Sequence, residues 1–304
     1  MTSSTAPLNT KTIAIAIIIT VAIIEIYLDS STIANSATSR FKSLRQANPD
    51  FHLALRESLG FFTDIRSADW LKLKTRLKDN RQNFQPGKSI EFHDRPHQWY
   101  TENYDAEFTC LHEMRVGGSG DGGKWVCDPH RIQNDSCLVY SIGSDGNFKF
   151  EMGILEKFPN CEVHIFDPNG EFAENIPNDA QGKLIPHTWG LINDDVGGPG
   201  GPINRFKTLQ EIVRILGHQG RTIDVFKIDC EMCEWLTYKD WFLTDVILRQ
   251  ILVEVHHVTK DTDDFFERVQ KEGYVIFHKE PNTLGCGGSC VEFSYLKLGA
   301  SFFL

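Results

Sequence analysis

Three groups of residues in this chain carry side chains or backbone suited to chemistry. The first is the turn Gly143-Ser144-Asp145-Gly146, which ends the apolar run Leu138–Ile142. Its glycines permit a tight turn and close approach of backbone to a ligand. The second is Asp167, which ends the next apolar run, Glu162–Phe166. An acid at such a strand end accepts hydrogen bonds from ribose hydroxyls, and its separation from Gly143 suits one strand–helix–strand unit. Trp189 and Gly190 follow a third run, Lys183–Thr188, and belong to the same candidate binding edge. The third group is acidic. Asp229, Glu231 and Glu234 crowd the end of Ile223–Ile228, while Glu254, His256 and His257 close Gln250–Val255. Carboxylates this close raise one another's pKa unless a cation or donors offset them. Their clustering points to a metal, a polar substrate or a general base. Asp229, Glu231, Glu254 and His256 are the candidate ligands of a divalent cation such as Mg²⁺. Asp229, Glu231 and His256 are the candidate catalytic groups. The competing expectation has Glu234 and His257 facing solvent and His256 satisfying the strand terminus.

These groups need a scaffold that brings strand ends together. From Cys137 the chain alternates strands and helices, which implies an α/β fold: a mostly parallel sheet with helices on both faces. Phe148, Met152 and Leu155 fall at helical spacing behind Asn147, a candidate cap, and Pro159 ends that helix. Phe206, Leu209, Ile212, Val213 and Leu216 form another apolar helical face, stopped at Gly217. Phe265–Lys271 is helical. Tyr274–His278 and Val291–Leu298 are the last strands, a hairpin-like pair that adds an antiparallel edge. Upstream, Arg40–Gln82 is expected to form two amphipathic helices, with Trp70, Leu71, Leu73 and Leu77 among basic residues. Phe84–Asp135 shows no sustained period. Its glycine-rich run Gly117–Gly123 follows no convincing strand and is expected to be a flexible loop pinned by Cys110 and Cys127. The loop Gly197–Pro202 is rich in glycine and proline.

The formal net charge of -10 argues against non-specific binding to nucleic acid or to an anionic membrane surface. Near the N-terminus, Ile13–Leu28 is apolar but for Glu25. Sixteen helical residues reach about 24 Å at about 1.5 Å each, short of a hydrocarbon core of about 30 Å unless flanking residues join in. A signal anchor with the bulk of the chain lumenal, a cleaved signal peptide with small residues near Ala34 and Ala37, and a buried helix all remain open. Eight cysteines behind such a leader fit an oxidising compartment. The alternatives are buried thiols, or a metal held by Cys230, Cys233, Cys286 and Cys290. Asn134-Asp-Ser136 is a glycosylation sequon, meaningful only if that region is lumenal.

Two readings of the glycine turn and Asp167 compete. The full G-x-G-x-x-G fingerprint is absent, which disfavours an NAD(P)-dependent oxidoreductase. The stretch from Phe206-Lys-Thr-Leu-Gln-Glu-Ile through Ile223-Asp-Val-Phe-Lys-Ile-Asp-Cys-Glu-Met-Cys-Glu-Trp235 resembles the FkbM-related S-adenosylmethionine-dependent methyltransferases. It is most similar to eukaryotic methyltransferase-like proteins with an N-terminal membrane segment. Val139-Tyr-Ser-Ile-Gly143 and Val163-His-Ile-Phe-Asp-Pro168 match that family's first two strands, so the resemblance spans roughly Cys110 to Leu298. It implies a seven-stranded, Rossmann-like class I methyltransferase fold using S-adenosyl-L-methionine. Gly143, Ser144, Asp145 and Gly146 would line the cofactor's methionine and sugar, with Trp189 and Gly190 at the same edge. Asp167 would hold its ribose, and Asp229 and Glu231 would sit at the cofactor–substrate boundary. The implied organisation is a tail (1–12), a membrane segment (13–29), a linker (30–39), a helical and loop extension (40–109) and a methyltransferase-like domain (110–304). The expected activity is methylation of an oxygen on a small polar, sugar or lipid-linked acceptor in the secretory pathway, in the endoplasmic reticulum or Golgi. A degenerate, non-enzymatic member is the alternative. The sequence departs from the family at Glu231-Met232, where the pattern has Glu-Gly, and cysteines flank the pair.

Overall fold

The computed structural model describes residues 49–83, 96–193 and 205–304. The apolar segment 13–29, its linker and the loop 197–202 lie outside the described residues. Among those described, no helix is long and apolar enough to cross a membrane.

Three helices come first: α1 (His52–Glu57), α2 (Ser67–Asn83) and α3 (Pro96–Asn103). They are followed by a short antiparallel hairpin of β1 (Met114–Val116) and β2 (Lys124–Val126). The glycine-rich run is therefore the hairpin's loop, which corrects the expectation that no strand precedes it. Three-residue strands are too short to show a period of two. The expected pinning is present, since Cys110 and Cys127 are joined by a disulfide. The alternating part begins with β3 (Leu138–Ile142), α4 (Lys149–Lys157), β4 (Glu162–Phe166), β5 (Leu184–His187) and β6 (Gly190–Leu191). It continues through β7 (Phe206–Lys207), α5 (Leu209–Ile215), β8 (Thr222–Ile223), β9 (Val225–Ile228), α6 (Cys233–Thr237) and β10 (Ile247–Leu248). It closes with β11 (Gln250–His256), α7 (Thr262–Lys271), β12 (Tyr274–Asn282) and β13 (Cys290–Lys297).

Phe206 lies in β7 and is 42% exposed, not on the helical face expected of it. The helix starts only at Leu209, because Thr208 and Glu211 form a capping box. The expected strand Ile223–Ile228 is interrupted at Asp224, whose carboxylate accepts the Leu138 amide at 3.1 Å.

Seven strands form the main sheet in the order β12-β13-β11-β9-β3-β4-β5. β11, β9, β3, β4 and β5 run parallel, and β13 is antiparallel to both β11 and β12. The chain runs outward from β3 to β4 and β5, then returns to place β9 on the other side of β3. That reversal opens a crevice at the carboxyl ends of β3 and β9, the topological switch point where such sheets bind ligands.

Alternating side chains send the strands' residues to two cores. One holds Val139, Val163, Val225 and Leu252 beneath α1, α2 and α4. The other holds Tyr140, Phe166, Phe226 and Val253 beneath α3, α5, α6 and α7. The early helices thus share a core with the sheet. Trp70 on α2 is fully buried and donates its indole N–H to Glu57 Oε2 at 2.7 Å. Leu71, expected on the same apolar face, is 50% exposed. Trp70→Ala should destabilise the fold by about 3–5 kcal/mol, because it opens a cavity and orphans a buried carboxylate oxygen. Urea denaturation followed by tryptophan fluorescence and circular dichroism reads that loss.

Candidate active site at the sheet's switch point

Three strand ends are stitched together at the crevice. The Gly143 amide donates to Phe166 O at 2.8 Å, and the Asp229 amide donates to Ile142 O at 3.0 Å. Gly143 has φ +73°, and a Cβ placed on it would lie 1.7 Å from the Asp229 carbonyl oxygen. Only glycine fits where the two strand ends pass each other. Asp167 is 6% exposed. Its Oδ2 accepts the amides of Ser144 at 3.1 Å and Asp145 at 2.9 Å, and its Oδ1 accepts the Asn169 amide at 2.9 Å. A carboxylate offers about four acceptor positions, so one remains for a ligand hydroxyl. Asp167 is first a clamp on the glycine turn. Ser144 Oγ, buried in that turn, has no hydrogen-bond partner. A polar atom buried without a partner is costly and rare. An unfilled acceptor position, an orphaned hydroxyl and a turn that excludes side chains together fit the nucleoside and amino-acid portions of S-adenosylmethionine.

Gly190 lets the chain pass Phe206, since a Cβ there would come within 2.6 Å of that ring. Trp189 stacks on His187 with ring centroids 4.7 Å apart, and the Lys207 ammonium sits 5.2 Å from its ring. Both residues stand at the β4–β5 side of the crevice, where the sequence placed them.

The acidic side is built around a residue that sequence reasoning missed. Lys124, from β2, is 1% exposed, and its ammonium reaches three carboxylates. Asp229 Oδ2 lies at 2.9 Å, Glu254 Oε2 at 3.5 Å, and Glu292 is in direct ion-paired contact. Lys227, 3% exposed, donates to the Gly143 carbonyl and lies 3.8 Å from Asp229. Burial pushes the Asp229 carboxyl up, but Lys124 and Lys227 outweigh it and hold it well below the usual carboxylate range. Burial, then Glu292 and Asp229, push Glu254 up to about 8 against the pull of Lys124. Asp229, Glu231 and His256 do bring ligand atoms within 4.8 Å of one another. The positive charge beside Asp229 and Glu254, however, is the ammonium of Lys124.

His256 completes the site. Its amide and its Nδ1 each lie 2.9 Å from Glu234 Oε1. Its Nε2 is 3.4 Å from Glu231 Oε2. Glu234 is fully buried on α6 rather than solvent-facing. Burial alone would lower the imidazole's pKa, but Glu234 outweighs burial and raises it to about 9. Glu231, at 85% side-chain exposure, is the solvent-side partner. The chain between Asp229 and α6 bends sharply: Glu231 has φ +52° and Met232 φ +83°. Met232 stands where the resembled pattern has glycine, and it adopts the left-handed backbone that favours glycine. The Cys230–Cys233 disulfide spans this bend, and Cys286–Cys290 closes a second short loop. This local pairing is the oxidised state that the even cysteine count suggested, rather than the four-cysteine metal alternative.

A glycine turn with a buried serine, an acid after the second strand and an ionisable cluster at one switch point are the parts of a nucleotide-type cofactor site. The Methyltransf_22 family, a methyltransferase domain, matches residues 52–297, and the chain belongs to that family. The family's methyl donor is S-adenosylmethionine, so the oxidoreductase alternative falls away. No curated protein sequence matches the chain. Among solved structures, the fibrillarin pre-rRNA processing protein of Methanococcus jannaschii aligns at 15% identity, over 55% of this chain and 69% of its own, with a TM-score of 0.35. The precorrin-6y C5,15-methyltransferase of Geobacter metallireducens aligns at 11% identity, over 56% and 83%, with a TM-score of 0.33. Coclaurine N-methyltransferase, bound to N-methylheliamine and SAH, aligns at 12% identity, over 78% and 72%, with a TM-score of 0.28. Likenesses this distant add nothing to the topology already described.

The raised groups have a consequence for stability. Glu254 and His256 both hold protons more tightly in the folded state, so each contributes stability at low pH that is lost as pH rises. For His256 the loss runs from the ordinary imidazole value of 6.5 up through about 9; for Glu254 it is complete near 8. Asp229 acts oppositely, but only in acid. Urea midpoints should therefore fall from about pH 4.5, through Glu254, and on to about pH 9, through His256, by up to ~1.4 kcal/mol per pH unit per proton. His256→Gln should flatten the upper part of that slope. An unchanged slope in the variant contradicts the assignment.

Proposed function

We propose that this chain methylates an oxygen on a small polar, sugar or lipid-linked acceptor. The observation that carries the reading is the His256–Glu234 pair, one strand beyond β9 from the glycine turn. A hydroxyl acceptor must lose its proton as its oxygen attacks, and a histidine oriented by a buried carboxylate suits that task. S-adenosylmethionine, when bound, supplies an electrophilic methyl group on a sulfonium centre. The turn Gly143–Gly146, Ser144 Oγ and Asp167 would hold it, with Trp189 and Gly190 beside them. His256 takes the acceptor's proton at Nε2, while Glu234 fixes Nδ1 and stabilises the resulting imidazolium. Asp229, held ionised by two lysines, is a weak base and serves as a hydrogen-bond acceptor. Glu231 lies on the exposed side of His256 and orients the incoming hydroxyl.

Within the methyltransferase-domain family we place the chain nearest the FkbM-related members, on the Lys227-Ile-Asp229 motif. We also assign it to the secretory pathway. Its eight cysteines form four disulfides, the chemistry of an oxidising compartment. In that setting residues 13–29 would act as a single-pass anchor with the domain lumenal, or as a leader removed on secretion.

Because His256 must be deprotonated to act, kcat/KM should rise about tenfold per pH unit and level off above about pH 9. Transfer of labelled methyl to a panel of hydroxyl acceptors across pH 6–10 measures this. Glu234→Gln should lower the plateau pH, because the imidazole loses the carboxylate that raises it. A profile flat from about pH 6 upward in the wild type rules out His256 as the base.

A further inference from the structure

We propose that Glu162, His164 and His218 bind a divalent transition-metal ion of the zinc type, at a site separate from the methyltransferase crevice. Glu162 and His164 lie at the amino-terminal half of β4, and His218 follows α5. Glu162 Oε1 lies 2.9 Å from His164 Nε2 and 3.1 Å from His218 Nε2. The three ligand atoms lie within 4.8 Å of one another. A tetrahedral ion with bonds of about 2.0–2.1 Å separates its ligands by about 3.3 Å, so small side-chain adjustments seat it here. One carboxylate and two imidazoles suit zinc-type ions and not the oxygen-seeking Mg²⁺ or Ca²⁺.

What surrounds the three groups is as specific as the groups themselves. His164 Nδ1 lies 2.8 Å from His187 Nε2, and His218 Nδ1 lies 2.7 Å from the Tyr140 hydroxyl. Arg221 donates to Glu162 Oε2 at 2.7 Å, leaving Oε1 to face the histidines. Metal-bound imidazoles characteristically use their second nitrogen for such a hydrogen bond, which fixes tautomer and ring orientation. Both proton arrangements satisfy this network. Without an ion, the two Nε2–H groups donate to Glu162, while His187 and Tyr140 donate to the Nδ1 atoms. With an ion, each proton moves to Nδ1, and His187 and Tyr140 become the acceptors. No backbone change is required. The histidines are buried, at 4% and 5% exposure, but the Glu162 side chain is 34% exposed. Solvent can therefore supply the fourth ligand. His187 also stacks on Phe166 and Trp189, so an ion here would brace the sheet edge that carries Asp167 and Trp189.

The test uses the full chain after chelator treatment and dialysis. ZnCl₂ is titrated by calorimetry, and CoCl₂ is followed by visible absorption. One ion per chain is expected, with the ligand-field bands of four-coordinate Co²⁺. His218→Asn and Glu162→Gln should each abolish that binding. Tyr140→Phe, which touches no ion, should weaken it about tenfold to a hundredfold. Circular dichroism confirms that each variant is folded, and the partly exposed Glu162 keeps the test valid if His218→Asn is not. The proposal is overturned if folded wild-type protein takes up no ion, or if the same stoichiometric binding survives in Glu162→Gln.

Discussion

The burial of one ammonium group constrains the whole functional end of the molecule. Lys124 is removed from water and cannot remain charged there without carboxylates around it. Those carboxylates come from the ends of β9 (Asp229), β11 (Glu254) and β13 (Glu292). A two-stranded hairpin is too small to be stable alone. This one is locked onto three strands of the main sheet by its lysine, and at its far end Gln250 bonds the backbone of Cys127 through both amide atoms. The same ion cluster sets the chemistry beside it. Asp229 stays ionised and Glu254 is driven to hold a proton. Removing the lysine would leave two buried acids and the half-buried Asp229 facing one another, so fold and site depend on the same contact.

Much of this scaffold is legible in the sequence because its signals are local and periodic. The runs Leu138–Ile142 and Glu162–Phe166 are strands with the bounds their apolar residues suggest. The glycine turn and Asp167 meet as their spacing implies, though Asp167 clamps the turn's own amides. What escapes is the pairing of distant residues. Lys124 lies in a three-residue strand with no period, and Glu234 sits on the five-residue helix α6, too short to reveal a buried face. Lys227 did carry a signal: a charged residue inside an apolar strand is buried only when paired.

Met232 shows how a departure from a family pattern can leave geometry intact. The backbone at that position is left-handed, as glycine would be, and a methionine there costs on the order of 1 kcal/mol. The flanking Cys230–Cys233 disulfide restrains the bend that the side chain disfavours. The bend in turn starts α6 where Glu234 can reach His256.

The most direct test is calorimetric titration of S-adenosylhomocysteine into the folded wild-type chain, beside Ser144→Ala and Asp167→Asn. Saturable one-to-one binding is expected. It should weaken about tenfold when the Ser144 hydroxyl is lost, consistent with one hydrogen bond of about 1–1.5 kcal/mol. A greater loss is expected when the Asp167 clamp on the turn is disturbed. No binding by folded wild-type protein, or equal binding by all three, would contradict a cofactor held at the switch-point turn.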